Sequence, residues 1–262
     1  MILEGRELAE RIIKELGSRR APRRCLAVIQ VGDDPISALY VAKKKEIADE
    51  LGVCFKLVEF PENSTEDIIL AEVLRLNSDS SIGGIVVQMP LPEGIDRNKI
   101  VSAIVPRKDP DGFHCILKSK RYHCVPPTVL AIDEILDFYQ IEKSNKKILI
   151  VGGGFLVGRP LYAFWKENGL QVSILEKGDK DYERKLKDAQ IIVLATGGGR
   201  KFSFRDFSAS AVVIDASTVT DEGKLRGDAE AEDWPDDRHL SPVPGGIGPV
   251  TVAMLFKNFY EL

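Results

Sequence analysis

The 262-residue chain has no surplus of positive charge: 36 Lys and Arg stand against 40 Asp and Glu, for a formal charge of −4 and a pI of about 5.6. Nucleic-acid binding driven by bulk charge needs a basic surface and is excluded. No run approaches the ~20 apolar residues that cross a bilayer, so no membrane partner is expected. The opening MILEGRELAERIIKEL mixes acids into its apolar residues and lacks a small-residue cleavage site, unlike a signal peptide. The four cysteines (Cys25, Cys54, Cys115 and Cys124) do not have the spacing of a disulfide framework, and a chain this long does not need one. Internal repeats and low-complexity tracts are missing as well. A cytoplasmic enzyme or binding protein is the expectation that remains.

What the chain does have is strand–helix alternation. CLAVIQV (Cys25–Val31), VCFKLVEF (Val53–Phe60), GIVVQMP (Gly84–Pro90), KILIVGG (Lys147–Gly153), QVSIL (Gln171–Leu175), QIIVLAT (Gln190–Thr196) and AVVID (Ala211–Asp215) read as strands. They are short, β-branched and nearly continuous in apolarity, as suits parallel strands covered on both faces. Helical patterns lie between them around 36–51, 65–77, 129–138, 157–168 and 182–188, and such alternation predicts an α/β fold. The pattern pauses from Pro106 to Pro127, a charged, Pro-rich stretch without clear period that reads as a long connection. This divides the chain near Val125 into residues 1–125 and 126–249. Asp221–Pro249 is irregular, and Val250–Leu262 reads as a closing helix that completes the first domain.

Two segments carry chemistry. After the strand KILIV come Gly152, Gly153, Gly154 and, four residues on, Gly158, with a helical pattern beginning around Val157. Glycines at such a turn admit a pyrophosphate to the free N–H groups of the helix start. The spacing is one residue longer than the usual dinucleotide fingerprint, so a merely tight turn competes with a cofactor loop. Glu176 ends the next strand 24 residues beyond Gly152, where an acid accepts hydrogen bonds from the adenosine ribose. The second segment is GDDPISALYVAKKKEIADELGV, a turn followed by a helix. Tyr40 and Lys44 stand four apart, hence on one face. Lysine does acid–base work near neutrality only if burial or neighbouring cations lower its pKa, and Lys43 and Lys45 flank it. By pattern alone, a solvated lysine run on a surface helix is the favoured reading.

These segments, with ILEGRELAERI, VVQMPLP, PRKDPDGF and SPVPGGIGPVTVAML, resemble in order, from Ile2 to Leu255, the bifunctional methylenetetrahydrofolate dehydrogenase/cyclohydrolase family. The resemblance implies two α/β domains flanking a cleft, the C-terminal one a Rossmann-type dinucleotide-binding domain. It implies oxidation of 5,10-methylenetetrahydrofolate with NADP or NAD, hydrolysis of the methenyl product to 10-formyltetrahydrofolate, and a homodimer. The family's active-site lysine falls on Lys44, its tyrosine on Tyr40, its glutamine on Gln88 and its pterin-binding aspartate on Asp111. Pro244, Gly245 and Gly246 fall on its substrate-lining loop. Gly152, Gly153, Gly154, Gly158, Arg159, Glu176, Lys177 and Thr218 fall on its cofactor side.

Some positions depart from the family. Gly154 replaces a common Ser, and Asp215-Ala216-Ser217-Thr218-Val219 replaces the family's D-V-G-I-N, leaving a backbone contact from Thr218 to the nicotinamide. Family habit favours NADP; Glu176 repels a 2′-phosphate and favours NAD, with Arg159 and Lys177 near enough to offset it, so the choice stays open. A dehydrogenase-only relative, a non-catalytic binding homologue and a shikimate-type dehydrogenase are the competing readings. No metal is expected. His114-Cys115 and His123-Cys124 match zinc by ligand type, but adjacent His-Cys pairs chelate poorly because neighbouring side chains diverge.

Overall fold

The computed structural model describes residues 1–117, 123–198, 201–221 and 224–262. The chain forms two compact units, each α/β. One, the lysine unit, comprises Glu10–Pro127 and Val252–Leu262; the other, the glycine-turn unit, comprises Met1–Ala9 and Thr128–Thr251. Residues 1–9, assigned to the first domain by sequence, pack with the second. Leu3 N donates to Leu240 O at 2.7 Å, Gly5 N donates to Gly245 O at 2.8 Å, and Ile2 bridges Leu240 in parallel.

In the lysine unit, helix α1 (Arg6–Gly17) leads to β1 (Cys25–Val31), α2 (Pro35–Glu50), β2 (Phe55–Phe60), α3 (Glu66–Ser78) and β3 (Ile82–Val87). The strands form a parallel sheet in the order β2-β1-β3. Central β1 is buried from Leu26 onward and β3 is buried throughout, which is why both read as unbroken apolar runs rather than alternating ones. Edge strand β2 is half-exposed. Gly83 and Gly84 in β3 make room for Phe259, whose ring lies where their β-carbons would be, at 3.2 and 2.8 Å.

The sequence reading of the cysteines is corrected here: Cys25 and Cys54 form a disulfide. Twenty-nine residues separate them, yet Leu26 pairs with Phe55 across β1 and β2, so the crossover through α2 brings two strand starts side by side. Cysteine spacing counts residues along the chain and misses that juxtaposition.

Beyond β3, α4 (Arg97–Ser102) and the single-turn α5 (Phe113–Ile116) flank a loop that is ordered without being periodic. The buried Lys108 donates from Nζ to the carbonyls of Leu76, Asn77 and Asp79 at 2.9, 2.9 and 2.7 Å, satisfying the open end of α3 with a cation. Asp109 Oδ2 accepts from His114 N at 2.8 Å. Asn258 Nδ2 donates to Pro110 O and Val125 O at 2.8 and 2.9 Å.

The glycine-turn unit runs α6 (Pro127–Phe138), β4 (Ile148–Val151), α7 (Gly158–Glu167), β5 (Val172–Leu175), α8 (Tyr182–Asp188), β6 (Ile191–Leu194), β7 (Val212–Asp215), a β8–β9 hairpin (Val219–Asp221 and Lys224–Arg226), β10 (His239–Ser241) and the first turn of α9 (Ile247–Glu261), which from Val252 onward belongs to the lysine unit. Its five-stranded parallel sheet has the order β10-β7-β6-β4-β5. The chain therefore steps to one side of β4 with β5 and to the other with β6. This reversal is the topological switch point of an open α/β sheet, beyond whose carboxyl ends ligands bind. Leu149, Val151, Leu175, Leu194 and Val213 build one core face with Phe202, Phe207 and Trp234. No helix among the described residues is long and apolar enough to cross a membrane.

Candidate active site

Helix α2 begins with Asp34, whose side chain accepts from Ser37 N at 2.7 Å, and with Pro35 in its first turn; cap and proline fix where the helix starts. Its buried residues are Ser37, Val41, Lys44, Ile47 and Ala48, a stripe at helical spacing. Lys44 belongs to that stripe and is 9% exposed. Its neighbours face outward: Lys43 pairs with Glu46 at 2.8 Å and Lys45 with Asp49 at 2.6 Å. Of three consecutive lysines, one is buried and two are solvated.

The end of β3 supplies its partner. Lys44 Nζ donates to Gln88 Oε1 at 2.6 Å, while Gln88 Nε2 donates to Met89 O at 3.0 Å. These bonds fix which way the amide faces, so its oxygen points at the amine. Ser37 Oγ also donates to Met89 O, at 3.1 Å, and ties α2 to the same turn; sequence reading passed over this serine. Burial holds the Lys44 ammonium below the ordinary lysine range, with Asp111 pulling the other way. The depression comes from desolvation, not from Lys43 and Lys45 as the sequence suggested. Asp111 is pushed up to about 7, chiefly by burial, with Asp109 adding and Lys44 opposing. Tyr40, half-buried, lies one turn before Lys44 on α2. The lysine unit thus brings Lys44, Gln88 and the electrostatic influence of Asp111 together. An amine and a carboxyl in this arrangement both titrate closer to neutrality than in water, and each can trade a proton there.

The dinucleotide candidates lie in the other unit. Gly152, at φ 101°, has no room for a β-carbon, which would strike Ala195 O; a β-carbon on Gly158 would strike Gly152 O. Both glycines therefore let a turn and a helix start pack against the strand ends. Gly154 is open, with Ala195 O at 4.0 Å the nearest atom to its missing β-carbon. The α7 N-terminus has no side-chain cap. An exposed turn before an uncapped helix start fits a diphosphate. At Gly153 the Glu176 carboxylate occupies the β-carbon position, so this acid leans across the glycine turn from the tip of β5. Arg159 and Lys177 are exposed and Thr218 is half-buried between β7 and β8. Pro244 and Gly245 are exposed ahead of α9, and Gly246 N donates to Pro242 O at 2.8 Å. Gly245 has φ 102°, which an L side chain rarely adopts.

The zinc alternative gathers no ligand set. His114 is buried with Nε2 against Ile104 O, His123 is exposed, and burial pushes the Cys124 thiol up to about 12, away from the thiolate that zinc needs. Among the described residues no group of three His, Cys, Asp or Glu is placed to hold a metal ion.

One functional candidate was missed by sequence reading: Asp228, fully buried like Asp215 of the altered D-V-G-I-N motif. Asp215 accepts from Ser217 N at 3.0 Å and Ala229 N at 2.7 Å, and burial pushes it up to about 6. No motif spacing marks Asp228, because its partners, Thr196, Gly198 and Ser217, come from separate loops.

Comparison with known proteins agrees in both units. The family model described as tetrahydrofolate dehydrogenase/cyclohydrolase, catalytic domain, matches residues 3–111. The model described as its NAD(P)-binding domain matches residues 126–262. The bifunctional protein FolD of Staphylococcus haemolyticus is 39% identical over 239 residues, covering 89% of this chain and 84% of its own length. Among solved structures, the bifunctional FolD of Campylobacter jejuni has a TM-score of 0.88 at 32% identity, covering 99% of this chain and 96% of its own. The Trypanosoma brucei methylenetetrahydrofolate dehydrogenase-cyclohydrolase, complexed with NADP and an inhibitor, has a TM-score of 0.87 at 29% identity, covering 100% of this chain and 96% of its own.

Proposed function

The chain belongs to the tetrahydrofolate dehydrogenase/cyclohydrolase family, and from that premise we infer what its buried lysine does. The protein is a bifunctional one-carbon enzyme. It oxidises 5,10-methylenetetrahydrofolate to the methenyl form with a nicotinamide dinucleotide, then hydrolyses that product to 10-formyltetrahydrofolate. A bound dinucleotide supplies the hydride acceptor. Gly152, Gly153, Gly154, Gly158 and the start of α7 hold its diphosphate, Glu176 meets its ribose, and Thr218 offers a backbone contact to its nicotinamide.

Lys44 serves the hydrolytic step. Burial enriches its neutral amine at lower pH than an ordinary lysine allows, and that amine accepts a proton from the water attacking the methenyl carbon. As the ring carbon–nitrogen bond breaks, the departing nitrogen takes a proton, leaving the formyl group on its neighbour; one proton is released overall. Gln88 aims the amine, and Tyr40 packs on the folate rings. Asp111, partly ionised near its value of about 7, accepts the N–H donors of the pterin. Pro244, Gly245 and Gly246 let backbone approach the flat substrate.

Glu176 leaning across the glycine turn favours NAD over NADP, because a 2′-phosphate would bring two anions together. Cytoplasmic residence and pairing of two copies are part of the same proposal, carried by the family resemblance.

The observation that carries the reading is the part-buried Lys44–Gln88 hydrogen bond. Replacing Lys44 by Met should lower methenyl hydrolysis by about 10²- to 10⁴-fold, the usual worth of a positioned acid–base group. The check follows methenyl absorbance, with dehydrogenase turnover recorded using NAD and NADP separately. Undiminished hydrolysis removes Lys44 from the mechanism, and higher kcat/KM with NADP removes Glu176 as the selector.

A further inference from the structure

A second buried polar cluster lies where the chain leaves β6 and β7. After β6, three consecutive amides point inward: Thr196 N donates to Asp228 Oδ2 at 3.1 Å, Gly197 N to Ser217 Oγ at 3.2 Å, and Gly198 N to Asp228 Oδ1 at 3.1 Å. Gly197 and Gly198 both have positive φ, 76° and 83°. Successive N–H groups curled in this way form a concavity that attracts an anion. The anion here is the protein's own. Thr196 Oγ1 donates to Asp228 Oδ2 at 2.8 Å, and Ser217 Oγ at 2.5 Å. Asp228 is fully buried, so its carboxylate touches no ligand; it acts by locking the turn after β6 to the link after β7.

That turn sits at the switch point between β4 and β6, where an open α/β sheet receives its ligand. It also backs the glycine turn, since a β-carbon on Gly152 would strike Ala195 O. A dinucleotide with its diphosphate at the start of α7 and its adenosine toward Glu176 on β5 must send its other half the opposite way, over β6 and β7. The backbone under that half is the backbone that Asp228 and Ser217 hold.

We propose that Asp228 is a positioning residue for the nicotinamide half of the dinucleotide, its carboxylate filling the turn after β6 and setting that turn against the link after β7. The proposal rests on the dinucleotide reading above. Substituting Asn cannot reproduce the arrangement. An amide has one acceptor oxygen, and whichever way it faces, its NH2 meets either Thr196 N–H or Gly198 N–H head-on.

The test compares the whole cofactor with its adenosine half. Titration calorimetry would measure NAD, NADP and ADP binding to the wild-type protein, Asp228→Asn and Ser217→Ala. The expected result for Asp228→Asn is ADP affinity within about twofold of wild type and dinucleotide affinity about ten- to a hundredfold weaker, as an unpaired buried donor implies. Ser217→Ala, which keeps the carboxylate and removes one bridge, should show the same split with a smaller loss, and it carries the test if Asp228→Asn does not fold. Equal affinity of both variants for the dinucleotide overturns the proposal, as does an equal loss of ADP and dinucleotide, which marks a general staple. Wild-type protein that binds ADP but no dinucleotide overturns the cofactor reading, and the proposal with it.

Discussion

Turning Gln88 into Glu would place a carboxylate on an ammonium that now rests against an amide oxygen. The isostere keeps the 2.6 Å contact with Lys44 Nζ. At that separation, two unit charges in an effective dielectric of about 20 attract by about 6 kcal/mol. Desolvating the new carboxylate takes back most of this, and its second oxygen confronts Met89 O, which now accepts from Gln88 Nε2 at 3.0 Å. A net rise of about 1 to 3 units in the Lys44 pKa remains, the usual effect of an adjacent opposite charge. Each unit removes about nine-tenths of the neutral amine at a fixed pH below the pKa. Methenyl hydrolysis at neutral pH should therefore fall about 10- to 1000-fold, and its rising alkaline limb should move upward by the same 1 to 3 units. Hydride transfer, which needs no proton from Lys44, should fall far less. Initial rates of methenyl loss from pH 6 to 10, corrected for the spontaneous reaction, give the profile. A variant slowed equally at every pH, with its limb unmoved, would refute the claim that Gln88 acts through the protonation of Lys44.

Two further perturbations test the surroundings. Asp111 is ordinarily ionised above 3.8 but holds its proton to about 7 in the fold, so the native state binds a proton that the unfolded chain has released. Stability contributed by this group falls as pH rises from about 4 to about 7. Asp111→Asn should gain on wild type across that window in urea melts, while raising the folate KM about tenfold or more through loss of charged hydrogen bonds; parallel stability curves would count against the buried carboxyl. Gly158→Ala forces a β-carbon onto Gly152 O, with Gly153 Cα at 3.1 Å. It should cost about 1–3 kcal/mol of stability and weaken dinucleotide binding, checked by urea melts and titration. An unchanged midpoint and affinity would show that the helix start yields freely.

Much of this architecture is legible in the sequence because its strands are doubly covered. Seven apolar runs meet seven strands, and the pattern around 182–188 coincides with α8 (Tyr182–Asp188). Strand β10 escaped notice because three residues, His239–Ser241, carry no periodicity; pairing with β7 makes them a strand. The segment after Pro106 reads as an unpatterned connection because Lys108 and Asn258 order it, each by side-chain bonds to distant carbonyls. Within the site, Lys43, Lys44 and Lys45 look alike as a run. Spacing from Val41 to Ile47 and Ala48 separates them, since only Lys44 falls on the apolar stripe. The partnership with Gln88 spans 44 residues and becomes visible only through family resemblance or the fold. Asp228 had neither pattern nor resemblance to mark it.

The placement of Phe259 against Gly83 and Gly84 sets an order of events during synthesis. The three-stranded sheet can be translated in full by residue 87, yet the aromatic ring that covers two of its glycines arrives some 170 residues later, after every strand of the five-stranded sheet has been synthesised. At about 5–20 residues per second, that face waits roughly ten to thirty seconds for its cover. A nascent chain stalled before residue 259 should therefore expose an uncovered β3 face to chaperones.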